Sequence, residues 1–184
     1  MANKNNKVYY GEYSLDMWIK LVLTKKIVLP PYQRYFVWTE KQTARLMKSI
    51  EKYQYLPAVT IGACEDPVLH KKVNMLLDGQ QRLTSVLLAS LGKFPNVRKP
   101  DNRLKYVDEV EGVDDDGMDD MLSEWTFSKI QEMGESKSEV IDKINANYAD
   151  KYKDLVIKHK DGTVLVLDEA FLKTHYIPFA YIVP

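Results

Sequence analysis

The stretch Asn74-Met75-Leu76-Leu77-Asp78-Gly79-Gln80-Gln81-Arg82-Leu83-Thr84-Ser85 holds the residues best suited to chemistry. An apolar run leads into Asp78-Gly79, and a helix is expected from about 80 to 91, with Leu83, Val86 and Leu87 facing inward and Gly92 as its stop. The first turn of such a helix points unpaired N–H groups along its axis, and the helix dipole adds to them, which makes an anion site. Gly79 carries no side chain, so a phosphate can approach its backbone closely. Arg82 falls within the first turn and can fork onto a phosphate oxygen. Gln80 and Gln81 are neutral groups able to hold phosphate oxygens or a water, and Thr84 adds a hydroxyl one turn on. Asp78 can hold a magnesium ion through water or simply lock the turn. A strand joined by Asp-Gly to a helix with a surface arginine is also an ordinary connection. Gln80, Gln81 and Arg82 set this one apart, as a polar group that helix packing does not require.

A second element lies upstream, at Tyr32-Gln33-Arg34-Tyr35-Phe36-Val37-Trp38. Aromatic residues around one arginine can form a base-stacking wall and a second phosphate clamp. Phe36 and Trp38 are expected to be core anchors. Arg34, held between prolines and bulky aromatics, is expected to be positioned rather than free.

These two elements need a scaffold, and the flanking sequence supplies its outline. A short strand is expected at 8–10. Ser14 then caps a helix whose Leu15, Trp18, Ile19 and Val22 fall on one face, ending near Lys25-Lys26. Pro30 and Pro31 force an extended entry segment. Thr39 with Gln42 reads as a capping box, followed by Leu46, Met47, Ile50 and Tyr53 as an apolar helix face. Strands are expected at 58–63 and 73–77. From about 93 to 160 charge rises and apolar density thins. Met118, Met121, Leu122 and Trp125 suggest one amphipathic helix, and Ile141, Ile144 and Tyr148 another. Asp161-Gly162 is a hairpin turn between 155–159 and 163–167, and an apolar strand interrupted by Pro178 spans 176–183.

Composition narrows the class. The 184 residues suffice for one domain with a core. Lys plus Arg and Asp plus Glu both total 26, which argues against a surface given over wholly to nucleic acid. The single cysteine, Cys64, forbids an internal disulfide and is expected to be a buried small hydrophobe. No apolar run reaches membrane-spanning length and the polar start is not a secretory signal, so no membrane partner and a cytoplasmic setting are expected. The acidic run Asp114, Asp115, Asp116, Asp119, Asp120 lacks the alternation of a calcium loop and reads as a solvated helix start. His70, His159 and His175 are scattered, without metal-ligand spacing. The tyrosines at 9, 10, 13, 32, 35, 53 and 55 crowd the first third, where sheet edges and packing account for most of them and a patch for single-stranded nucleic acid is the alternative.

Taken in order, Leu29-Pro30, Tyr32-Gln33-Arg34, Phe36 and Trp38, the Ser49-Ile50 helix, Leu56-Pro57 and Leu77-Asp78-Gly79-Gln80-Gln81-Arg82-Leu83-Thr84 resemble the N-terminal domain of GmrSD-type modification-dependent restriction endonucleases. The resemblance covers about 14–92, with the strand at 176–178 similar to a further core strand. More distantly the arrangement resembles the ParB/sulfiredoxin superfamily. It implies an α+β fold with a small mixed β-sheet and packed helices, 8–92 and 161–184 forming the core and 93–160 a charged helical insertion.

The same resemblance implies binding of a nucleoside triphosphate with Mg²⁺, often with hydrolysis, coupled to a nuclease domain or subunit in phage defence. DNA would be met through that partner. Asp78, Gly79, Gln80, Gln81 and Arg82 become the phosphate and catalytic segment, with Gln33 and Arg34 opposite. Family members continue into a helix with a Phe…Asn-type motif and often an HNH nuclease. The sequence stops at Pro184 without such a pattern, so DNA cleavage by these residues alone is not expected. Two other readings stay open: a DNA-binding module that senses modified bases, and a protein-interaction domain that keeps the fold without the chemistry.

Overall fold

In a computed structural model of the chain, the residues described are 7–30, 36–65, 71–96 and 127–183. Strand β1 (Lys7–Ser14) is eight residues long, more than twice the expected stretch at 8–10. It passes straight into helix α1 (Leu15–Leu23), where the Ser14 hydroxyl accepts the Met17 N–H at 3.2 Å. Leu15, Trp18, Ile19, Val22 and Leu23 of α1 are buried. Helix α2 (Glu40–Glu51) starts with the expected reciprocal cap between Thr39 and Gln42 and buries Thr43, Leu46, Met47 and Ile50. Tyr53 does not join that face. It lies past the helix end at φ 53° and is 72% exposed, because the left-handed exit turns its side chain away.

Strands β2 (Val59–Glu65) and β3 (Lys72–Asp78) form an antiparallel pair with an irregularity between Thr60 and Ile61. Helix α3 (Gln80–Leu91) follows, ending at Gly92 with φ +63°. A short strand β4 (Lys93–Pro95) then pairs with β5 (Tyr152–Asp154), and between them lie helices α4 (Phe127–Met133) and α5 (Lys137–Asn147). Helix α6 (Glu169–Thr174) and strand β6 (Tyr176–Val183) complete the order.

The main sheet runs β1-β6-β2-β3, with β6 antiparallel to β1 and parallel to β2. The strand last in sequence is therefore central. Pro178 fits there because pairing with β2 begins only at Phe179, so the missing N–H interrupts no bond on that side. Val59, Ile61, Leu76 and Ile177 join the side chains of α1, α2 and α3 in one core. Phe127, Ile130, Met133, Val140 and Ile144 belong to the same core, so the described part of the 93–160 stretch is packed structure as well as charged surface. Gln131 ties it down: its buried Nε2 donates to the Val22 and Ile27 carbonyls at 2.6 and 2.7 Å and so caps the end of α1.

Two further expectations change. Cys64 is half-buried rather than enclosed, since it lies next to the exposed end of β2 at Glu65. The Asp161-Gly162 turn forms, with Gly162 at φ +87° and the Thr163 hydroxyl and N–H donating to the Asp161 carboxylate, which holds that carboxyl below its ordinary pKa. The flanking segments make a single isolated bridge, Lys158 to Val164, instead of a hairpin ladder. The acidic run at 114–120 and the helix around Met118 to Trp125 lie outside the described residues.

Candidate functional site

At the joint between β3 and α3, Gly79 adopts φ +97°, a left-handed conformation open to glycine at little cost. A Cβ at this position would also approach Val59 Cγ2 to 2.9 Å. Glycine is thus required twice over, by its dihedral and by the closeness of β2. No side chain caps α3, so its first turn presents backbone N–H groups without a side-chain acceptor.

Gln80 and Gln81 are buried, at 5% and 7% exposure. The Gln81 carboxamide oxygen accepts the Val37 N–H at 2.9 Å, fixing the 36–39 segment against α3. Gln81 therefore has a packing role that its sequence context did not suggest. Thr84 is fully buried, and among the described residues its hydroxyl has no hydrogen-bond partner. Thr43 and Ser85, both buried, meet hydroxyl to hydroxyl at 3.1 Å where α2 crosses α3.

Arg82 reaches across to the start of β2. Its guanidinium donates to the Pro57 carbonyl, to the Ala58 carbonyl at 3.3 Å, and to Asp78 Oδ2 at 3.0 Å. The arginine side chain is 12% exposed and the aspartate 70%. The arginine is thus anchored, not poised free over the helix end, and the carboxylate offers its open side to solvent. The fork closes the gap between β3 and the chain entering β2. Nothing between Leu56 and Val59 signals this in sequence, because the acceptors are backbone carbonyls.

Tyr32, Gln33 and Arg34 lie outside the described residues. Phe36 is buried at 4% and its ring meets Phe94 edge-on at 6.1 Å, and Trp38 packs against the core, as core anchors should. Among the described residues no three His, Cys, Asp or Glu side chains come together as a metal site. Asp78 is the carboxylate at the joint. A magnesium ion held there would take one carboxylate at most and fill its shell from phosphate oxygens and water, which suits that ion.

The fold and this joint define a mixed α+β domain with a polar strand–glycine–helix site. The chain belongs to the family described as GmrSD restriction endonuclease, N-terminal domain, which it matches over residues 19–181. That family places it within a restriction system of phage defence. The match extends from α1 to β6, a range that spans the 93–160 stretch that the motifs alone left unassigned. No curated protein matches the chain, and no solved structure does either. Among the described residues no helix is long and apolar enough to cross a membrane.

Proposed function

We propose that the chain binds a nucleoside triphosphate at the start of α3 and acts as the nucleotide-responsive domain of its restriction system. The observation that carries this reading is the N-terminus of α3, capped by a left-handed glycine with no side chain over it. Arg82 supplies fixed positive charge one turn in. Its fork to Pro57 and Ala58 sets the guanidinium in place before any ligand arrives. The buried Thr84 hydroxyl is a further donor without a described partner.

If the bound triphosphate is hydrolysed, water attacks the terminal phosphorus in line with the leaving oxygen. Gln81 is engaged by Val37, so orientation of that water falls to Gln80. Arg82 stabilises charge on the phosphoryl oxygens, and the exposed carboxylate of Asp78 takes the proton or steadies a hydrated Mg²⁺. Gln33 and Arg34 serve as the opposing clamp and Tyr32 as part of the base wall. A nuclease domain or subunit receives the signal, and DNA is met through it.

Isothermal titration with ATP, GTP, CTP and UTP, each with Mg²⁺, tests the reading. Heat with at least one of them, lost in Arg82→Ala and weakened in Gln80→Ala, supports it. A folded wild-type protein that gives no heat with any of the four overturns it.

A further inference from the structure

A second feature, built from no residue of the 78–84 segment, runs along the sheet from the Asn74 end of β3 towards Tyr13. A cavity of about 370 Å³ opens there between the sheet and the end of α1. Its volume lies within the ordinary range of small-ligand pockets, about 300–1,000 Å³. Tyr9 and Tyr181 face each other across the β1–β6 register and line it together with Tyr13 and Phe179, whose rings stack at 4.4 Å. Ile61 lies at its floor, and Asn74 and Lys26 bring polar groups.

Asn74 is well placed to read an edge. Its Oδ1 accepts the Tyr181 hydroxyl at 2.9 Å and its Nδ2 donates to the Lys26 carbonyl at 3.2 Å. A carboxamide has two lone pairs and two N–H groups, so one of each remains for a ligand. That pairing of donor beside acceptor matches the hydrogen-bonding edge of a nucleobase.

Charge supplies an independent pointer. β1 and β3 begin at this end and α1 finishes there. Lys26 lines the cavity, and Lys7, Lys25, Lys71 and Lys72 are exposed at or beside these same element ends. Glu65, at the end of β2, stands in register with Lys72. Among the described residues of a chain with no net charge, cations outnumber carboxylates at this edge of the aromatic pocket. A neutral aromatic ligand would have no use for them, whereas a polyanion with π-faced rings would use both.

We infer that this end of the sheet binds single-stranded nucleic acid, with one unstacked base in the Tyr9–Tyr181 pocket, its edge against Asn74, and flanking phosphates on the lysines. The site shares no residue with the 78–84 segment, so substitutions in the two can be read separately, although Phe179 pairs with Val59 beside Gly79.

The test is fluorescence anisotropy of a dye-labelled short oligothymidylate strand on the full chain. Binding is expected to weaken as salt rises from about 50 to 200 mM, with a log–log slope of about −2 to −3 if three or four lysines meet phosphates. Tyr9→Ala is expected to weaken binding about tenfold, the ordinary loss for one stacked base. Tyr10→Ala, on the adjacent residue that points to the other face, is expected to leave it unchanged. The combined Lys25→Gln, Lys26→Gln, Lys72→Gln protein, altered only at exposed positions, is expected to flatten the slope by about 2. The inference is overturned by no binding at low salt from a folded protein, by equal effects of Tyr9→Ala and Tyr10→Ala, or by equal affinity for the duplex. It is also overturned if thymidine monophosphate competes as well as the strand, which would make the pocket a site for a free nucleotide.

Discussion

At the Asp78 end of β3 two polar side chains, Arg82 and Gln81, are committed to the protein's own backbone, while at the Asn74 end aromatic and polar side chains line open space. Arg82 holds two carbonyls and a carboxylate, and Gln81 holds the Val37 N–H. Along the sheet, aromatic rings and Lys26 line a cavity, with further exposed lysines at the neighbouring element ends. The first arrangement is what a site needs when it must keep its geometry before the ligand comes. The second suits a ligand that is long, charged and tolerant of its exact pose. The contrast is one of stiffness, and substitutions at each end ought to register differently in stability and in binding.

The largest effect is expected from Arg82→Ala, which leaves the Pro57 and Ala58 carbonyls without their charged donor. Urea denaturation should show a loss of about 2–4 kcal/mol, since each bond to a charged donor is worth about 1.5–3 kcal/mol. A loss below half a kilocalorie would mean that the fork is decorative. Gly79→Ala comes next. The positive φ and the approach to Val59 together should cost about 1–3 kcal/mol by the same measurement. Full stability in that variant would show that the joint relaxes easily and is not preorganised.

Gln81→Leu should cost about 1 kcal/mol, the usual net value of one hydrogen bond, and speed amide hydrogen exchange at Val37. Unchanged exchange there would uncouple the 36–39 segment from α3. Thr84→Val is the subtlest. Its hydroxyl is buried without a described partner, so a shape-conserving methyl should leave the free protein as stable or slightly more so, within about 1 kcal/mol. Nucleotide affinity should fall in the same variant if the hydroxyl is kept for a ligand. Equal affinity in calorimetry would return Thr84 to packing. At the Asn74 end, Tyr9→Ala should cost no more than about half a kilocalorie of stability, because the ring is half exposed.

Much of the scaffold was legible in the sequence for physical reasons. Ser14 and Thr39 announced their helices because capping is local chemistry, and Leu15, Trp18, Ile19 and Val22 announced a buried face by spacing alone. The turn from β3 into α3 was legible for the same reason, as was the stop at Gly92. What stayed hidden depends on partners far away in the chain. The length of β1 is set by a strand at the other end of the chain, not by its own polar residues. Arg82 looked available because carbonyl acceptors have no letter in a sequence. Gln81 looked superfluous to packing because its partner is an N–H contributed 44 positions earlier. The aromatic pocket was foreshadowed only by the crowding of tyrosines, and its assembly from β1, β2, β3, β6 and the end of α1 follows from topology.

The pairing of Lys7 with Val183 has a bearing on how the chain reaches its native state. The sheet's central strand is supplied by the final stretch of the sequence, and both β1 and β2 wait for it as a neighbour. β6 is made after β1, β2 and β3, so during synthesis β1 and the β2–β3 hairpin exist with unmet edges. Pairings that span so much of a chain slow folding, since a large loop has to close before any contact rewards it. A chaperone, or a downstream domain still emerging, would therefore encounter two separate halves of a sheet, joined when β6 slots between them.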